Sequence, residues 1–244
     1  MKQEATAHSE RGSSLAYRCH QPWWQQLFTI RCLVVRDSMV KLDYKKDLKT
    51  LYRPSQKPII VDVPDLQYLM IDGRGYPGTS QEYWDSITTL YPLAYTLKFM
   101  LKKRQGIDYT VMPLQGLWWA DDMSYFRENF LTGKDAWQWT SMIMQPDMVT
   151  ASLFREAVAE VRKKKTSASI DKVRLEKYSE GRAAQILHIG PYSAERSTIE
   201  KLHAFIEDSG HVRSGKHHEI YLSDPRKAAP EKLKTVIRQP VAKG

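Results

Sequence analysis

The sequence predicts an α+β protein built from two tandem strand-helix-strand-strand modules, each with an antiparallel sheet, and a ligand cleft where the modules meet. Three observations lead there. Apolar segments alternate between period-two and helical spacing along the chain. Short motifs recur in matched order: Gly75-Tyr76-Pro77 before one long helical pattern echoes Gly190-Pro191-Tyr192 before another, and Ile143-Met144-Gln145-Pro146 echoes Ile237-Arg238-Gln239-Pro240. The stretch 183–222 reads as a strand, a Gly-Pro turn, a helix carrying Ile199, Leu202 and Ile206, and a second strand. Paired modules set their sheets side by side, and the junction is the usual place for a ligand.

Residues 1–38 have no sustained period and lead into no apolar core with a small-residue cleavage site, so they read as a mobile extension without a secretory signal. Met39, which opens a more regular sequence, is a candidate start of the functional protein. From Lys57, PIIVDVPDLQYLMIDGRGYPG is strand material ending in a turn. Its glycines lack the Lys-Ser/Thr of a phosphate loop. After a cap at Thr79 or Ser80, residues 81–106 repeat apolar side chains at Ile87, Leu90, Tyr91, Ala94, Tyr95 and Leu101, a helix interrupted by Pro92. A strand ending in Trp118-Trp119 follows, then a short helix from Ser124 to Leu131 and a strand from Trp137 to Met144. The segment 147–164 places Val149, Leu153, Ala157 and Val161 on one helical face and joins a first module, 57–146, to a second, 170–241. Lys172–Tyr178 and Ala183–Ile189 read as strands joined in a hairpin through Glu180-Gly181, and the chain closes on a turn and a last strand.

Bulk properties narrow the function. A 244-residue chain with 42% hydrophobic residues can bury a substantial core. It holds no apolar run of membrane-spanning length. Cys19 and Cys32 alone cannot build a disulfide framework, so a reducing cytoplasm is the expected compartment. The net charge of +9 is scattered, and its densest run, 162–165, ends a helix where cations suit the dipole. No DNA- or RNA-reading motif accompanies it, so neither nucleic acid nor membrane is expected as a partner.

Candidate chemistry centres on Glu219. Alternation puts His217, Glu219 and Tyr221 on one face of the last-but-one strand and His218, Ile220 and Leu222 on the other, so that face is either wet or holds its carboxylate for a purpose. Five tryptophans fall in the first module, and of the adjacent pair Trp118 and Trp119 at most one faces a cleft. Singly they are packing residues. As a set with Tyr192 and Tyr221 they form an aromatic box for a flat or cationic molecule. A glutamate walled in by rings is poorly solvated, which would raise its pKa and suit it to general-base work. His188, His217 and His218 lack zinc-ligand spacing, and no Ser-His-Asp arrangement is legible, so no metal and no cofactor are expected.

At HIGPYSAERSTIEKLHAFI, HHEIYLSDPRK, LKTVIRQPV, PLQGLWWADD and WQWTSMIMQPD, the sequence resembles the GyrI-like small-molecule-binding family over about residues 41–241. The resemblance implies two strand-helix-strand-strand (SHS2) modules and a cleft with aromatics around a buried Glu, here Glu219. Trp119, Trp139, Tyr192 and Tyr221 are candidates for the walls, with His188 and Gln115 as further ligand-binding candidates. The stand-alone branch, which this chain resembles most, includes hydrolases that open the cyclopropane of duocarmycin-like and yatakemycin-like DNA alkylators. That implies Glu219 as base and Tyr192 as hydrogen-bond donor, with planar or cationic xenobiotics as ligands. Alternatives are a non-catalytic drug-sequestering module and an interaction protein that masks a partner such as DNA gyrase. One departure stands out: Gln115 occupies a position where the PLEGLWW pattern has Glu, which would reduce activity if that position moves a proton.

Overall fold

The computed structural model describes residues 39–121, 137–164 and 168–244. The expected mobile extension 1–38, both cysteines and the expected helix Ser124–Leu131 lie outside them. After a short strand β1 (Val40–Leu42) and two single-turn helices, α1 (Tyr44–Asp47) and α2 (Lys49–Tyr52), come β2 (Ile59–Val63) and β3 (Leu66–Arg74). The long helix α3 (Gln81–Gln105) follows, then β4 (Ile107–Tyr109), β5 (Leu114–Trp119) and β6 (Gln138–Gln145). Helix α4 (Ala151–Lys163) leads to β7 (Arg174–Tyr178), β8 (Gly181–Ile189), α5 (Glu195–Asp208), β9 (His211–Arg213), β10 (His217–Tyr221) and β11 (Lys234–Lys243).

One antiparallel sheet dominates, in the order β2-β8-β11-β10-β5-β6-β3-β7, with β9 beside the end of β11. Two halves of like construction are visible in it. The first, β3-α3-β5-β6, lies in the sheet as β3-β6-β5, and the second, β8-α5-β10-β11, as β8-β11-β10. They join edge to edge where β10 pairs β5, with Glu219 opposite Gly116 and His217 opposite Trp118. Among the described residues the strands form no closed barrel.

The expected hairpin between Lys172–Tyr178 and Ala183–Ile189 is not formed. β7 runs through Glu180 directly into β8, β2 runs through Pro64 and Asp65 into β3, and the two continuous runs pair with each other, Val63 with Gly181 and Leu66 with Tyr178. Glu180 is no exposed turn residue. It is buried and ion-paired to Arg238 and His218, which pins this bend against the sheet.

Helix α3 starts at Ser80, whose hydroxyl accepts from the Tyr83 amide, and stops at Gly106 in the left-handed conformation. Its buried stripe runs through Tyr83, Ser86, Leu90, Leu93, Leu97 and Leu101, while Tyr95, expected on the core face, is exposed. Helix α5 buries Ile199, Leu202 and Ile206 against Ala184, Ile186 and Ile237. Helix α4 packs its Leu153, Ala157 and Val161 stripe into the core beside α3. Because α3 rests on β3 and β6, and α5 on β8 and β11, the central strands β5 and β10 lie between them as the floor of a groove.

Candidate functional site

The alternation of each strand decides which side chains reach that floor. Ser86 of α3 hydrogen-bonds Ser141 of β6 at 2.9 Å, so Trp139 and Ser141 face the helices. Register then carries Trp118 and Gly116 of β5, His217, Glu219 and Tyr221 of β10, and Thr235 and Ile237 of β11 to the same face.

Glu219 sits near the centre of this face and is held from both sides. The Tyr221 hydroxyl donates to its Oε2 at 2.7 Å, and His217 Nε2 donates to its Oε1 at 3.2 Å. A short hydroxyl-to-carboxylate bond is the strong kind and fixes the headgroup. Tyr192 stands edge-on to Tyr221, ring centroids 5.7 Å apart. On the α3 side, Tyr83 lies 5.3 Å from Trp139 and 5.8 Å from Trp118, and Trp118 in turn meets Trp137 at 5.9 Å. Tyr83, Trp118 and Trp139 thus lie on the α3 side of Glu219 and Tyr192 and Tyr221 on the other, with the Tyr83 and Tyr221 side chains hydrogen-bonded between them.

A second carboxyl belongs to this face. Glu195, in the first turn of α5, is only 3% exposed. Burial, with the Glu219 charge adding to it, pushes its pKa from 4.5 up to about 9, and Thr235 beside it tempers the rise. A helix N-terminus favours a carboxylate, yet here desolvation and the neighbouring charge win, so Glu195 is a neutral proton donor at pH 7. Burial likewise lifts the Tyr192 hydroxyl to about 12, with Glu195 and Glu219 contributing, and raises Tyr83 and Tyr221. The site therefore combines phenols that stay protonated, a protonated carboxyl and a carboxylate fixed by two donors. A neutral carboxyl beside a second carboxyl that accepts two hydrogen bonds pairs a proton donor with a proton acceptor.

Of the residues singled out in the sequence, Glu219, Tyr221, Tyr192 and Trp139 come together here. Trp119 and Gln115 do not join them, because they occupy the alternate positions of β5 and point to the reverse face. Trp119 there carries the Lys216 ammonium 3.2 Å above its ring. Gln115 donates to the Tyr52 hydroxyl at 3.1 Å and lies 3.0 Å from His218 Nε2. His188 shares the helix-side face but serves the turn into α5. Its Nε2 donates to the Pro191 carbonyl, which fixes the tautomer, and its Nδ1 accepts from Thr198 at 2.8 Å. Gly190, at φ 143°, keeps that turn open, since a Cβ there would sit 3.2 Å from His188 Nε2.

Beneath the floor, the reverse face carries a buried polar cluster. Glu180 binds His218 at 2.8 Å and Arg238 at 3.0 Å, and Arg238 also donates to Gln185 and to the Leu51 carbonyl. Burial alone would raise the Glu180 pKa, but His218 and Arg238 hold it at about 2. The cluster ties β5, β8, β10 and β11 to the α2 segment and so sets the strand register that aims Glu219. Among the described residues, no group of three or more His, Cys, Asp or Glu side chains could hold a metal ion. None of their helices is long and apolar enough to cross a membrane.

Three residues of the site were not found from sequence: Glu195, Trp118 and Tyr83. The first reads as an ordinary helix-start acid, though its place three positions after Tyr192 puts both at one end of α5. The second was half of an adjacent pair whose faces only the β5 register assigns. The third belongs to the first turn of α3 and carries no signal of its own.

The GyrI-like small molecule binding domain matches residues 142–242. Three solved structures from Listeria innocua are similar over most of the chain. One is an uncharacterized conserved protein, 41% identical over 82% of this chain and 100% of its own, with a TM-score of 0.76. Two others are described as hydrolases: one is 39% identical over 82% of this chain and 100% of its own (TM-score 0.71), the other 40% identical over 83% and 100% (TM-score 0.73). No curated protein matches the chain. Shared fold, matched motifs and this level of identity place the chain in the GyrI-like small molecule binding domain family.

Proposed function

We propose that the protein is a hydrolase of planar, electrophilic xenobiotics, opening the cyclopropane of duocarmycin-like and yatakemycin-like DNA alkylators. The observation that carries the reading is the pairing of a fixed carboxylate, Glu219, with a protonated carboxyl, Glu195, inside a ring-walled groove. The hydrolase description of two Listeria relatives supports it. Tyr83 and Trp118 on one side and Tyr192 and Tyr221 on the other hold the flat ring system, which converts a bimolecular attack into a local one. Glu219 accepts a proton from a water as its oxygen bonds to the unsubstituted cyclopropane carbon. The strained C–C bond breaks, and its electron pair flows through the conjugated ring to the carbonyl oxygen. Tyr192 donates a hydrogen bond to that oxygen as charge develops, and Glu195 supplies the proton that completes the phenol. Water is consumed and no cofactor is needed.

The test is incubation of purified protein with a cyclopropane-bearing alkylator and chromatography of the products. A ring-opened alcohol from the wild type and its loss in Glu219→Gln are expected. No product beyond the buffer rate, with Glu219→Gln behaving identically, would end the hydrolase reading. One observation favours a second reading, sequestration without turnover: both Glu219 oxygens already accept hydrogen bonds, as suits a fixed counter-charge. In that case Glu219→Gln weakens cationic ligands more than neutral ones, and no product forms.

A further inference from the structure

Buried polar groups in folded proteins are nearly all hydrogen-bonded, so orphans call for a partner. On this one face, two buried indole nitrogens carry no hydrogen bond: Nε1 of Trp118 and Nε1 of Trp139. Both lie on the face that carries Glu219, where a ligand could complete the bonding. The two are not equivalent. The Trp139 ring is seated over Gly73, on the far side of β6.

Trp118 is placed differently. Its indole lies back along β5 with Nε1 over Gly116, only 2.7 Å from where a Cβ would stand. Glycine at this position is what allows the seat. Gly116 is the register partner of Glu219 on β10 and of Ser141 on β6, so the unpaired N–H occupies the strip of floor next to the carboxylate. An indole N–H only donates. Ser141 is engaged with Ser86, and Glu219 is engaged with His217 and Tyr221.

We infer that the Trp118 indole N–H binds a ligand oxygen other than the one that Tyr192 meets during ring opening, and that the ligands it selects are planar ring systems bearing a neutral carbonyl at their edge. The inference rests on the groove being the ligand site. Planarity follows from the ring walls. Neutrality follows from Glu219 alongside, which disfavours a carboxylate or phosphate acceptor in the same strip. A carbonyl at the rim of an aromatic system offers its lone pairs in the ring plane, where an N–H on the groove floor meets it while the ring faces rest against Tyr83 and Tyr192. A site built to hydrogen-bond an oxygen discriminates strongly against the analogue lacking it.

The test uses a matched pair, 9-fluorenone and fluorene, which differ by a carbonyl in place of a methylene. Indole proton-nitrogen NMR spectra of the full chain are followed during titration, with the Trp118 signal identified as the one lost in Trp118→Phe. Fluorenone should bind about tenfold tighter than fluorene and move the Trp118 indole proton downfield, which fluorene should not do. Trp118→Phe keeps a ring and removes the N–H, and should bring the two affinities within a factor of about two. Gly116→Ala, which displaces the indole without removing it, should do the same and serves if Trp118→Phe does not fold. Equal binding of the two compounds by wild type, or a preference for fluorenone that survives in the variants, overturns the assignment and leaves the groove as an aromatic ligand site. Absence of binding by either compound overturns the groove reading and the assignment with it.

Discussion

Replacing Glu195 by glutamine should make the protein more stable near neutrality. The carboxyl is buried at the start of α5, where desolvation and the Glu219 charge lift its pKa from 4.5 to about 9. In the unfolded chain it returns to the ordinary carboxylate range. Between those two values the folded protein holds a proton that the unfolded chain has released, so stability is full below about pH 4.5 and falls as pH rises through about 9. At pH 7 the distance above the unfolded value is about 2.5 units, and each is worth about 1.36 kcal/mol, so the folded state has lost about 3 kcal/mol relative to pH 4. Glutamine keeps the shape and cannot ionise. Urea unfolding of wild type and Glu195→Gln from pH 4 to 9 should give near-coincident stabilities at pH 4 and a variant ahead by up to about 3 kcal/mol at pH 7. Parallel profiles across the range, or a variant that is the less stable of the two at pH 8, would refute the placement of a neutral carboxyl beside Glu219.

Other consequences follow from the same geometry. Glu219→Gln removes the neighbouring charge, so the Glu195 pKa should fall and the pH slope of stability flatten, as pH-dependent urea unfolding would record. The Glu180 pKa is held at about 2 by His218 and Arg238, so its contribution is present above about pH 4.5 and is lost as pH falls through about 2; Glu180→Gln should reduce that acid-side loss. Arg238→Met leaves Glu180 buried without its guanidinium and should destabilise by about 3–5 kcal/mol in denaturant titration at pH 7. Tyr221→Phe removes the short bond to Glu219 and should lower turnover of a cyclopropane-bearing alkylator by about tenfold or more with little change in stability.

The faces of β10 were legible because a period of two needs no long-range knowledge: once His217–Tyr221 is a strand, Glu219 and Tyr221 must share a side. The doubled strand-helix-strand-strand order was legible from the Gly-Pro turns and the repeated apolar segments. What was hidden depends on contacts distant in sequence. Whether Trp118 or Trp119 meets Glu219 is decided by the face on which α3 packs, and that is fixed by contacts such as Ser86 with Ser141. The Glu180-Gly181 pair carries ordinary hairpin chemistry, and only Arg238 and His218 reveal why the chain bends there without doubling back. Gln115 reads as a departure in a motif, yet its side chain serves the reverse face beneath Glu219. Glu195 was passed over because an acid in a first helical turn satisfies the helix dipole and asks no further question; its significance comes from Glu219, which sequence alone does not bring beside it.

The most direct measurement is a crystal structure of Glu219→Gln with an intact cyclopropane-bearing alkylator bound. The ring system should lie between Tyr83 with Trp118 and Tyr192 with Tyr221, its strained carbon turned toward residue 219 and its carbonyl toward a protein donor. Density for the compound elsewhere on the molecule, or in the groove with the cyclopropane directed away from residue 219, would contradict the account.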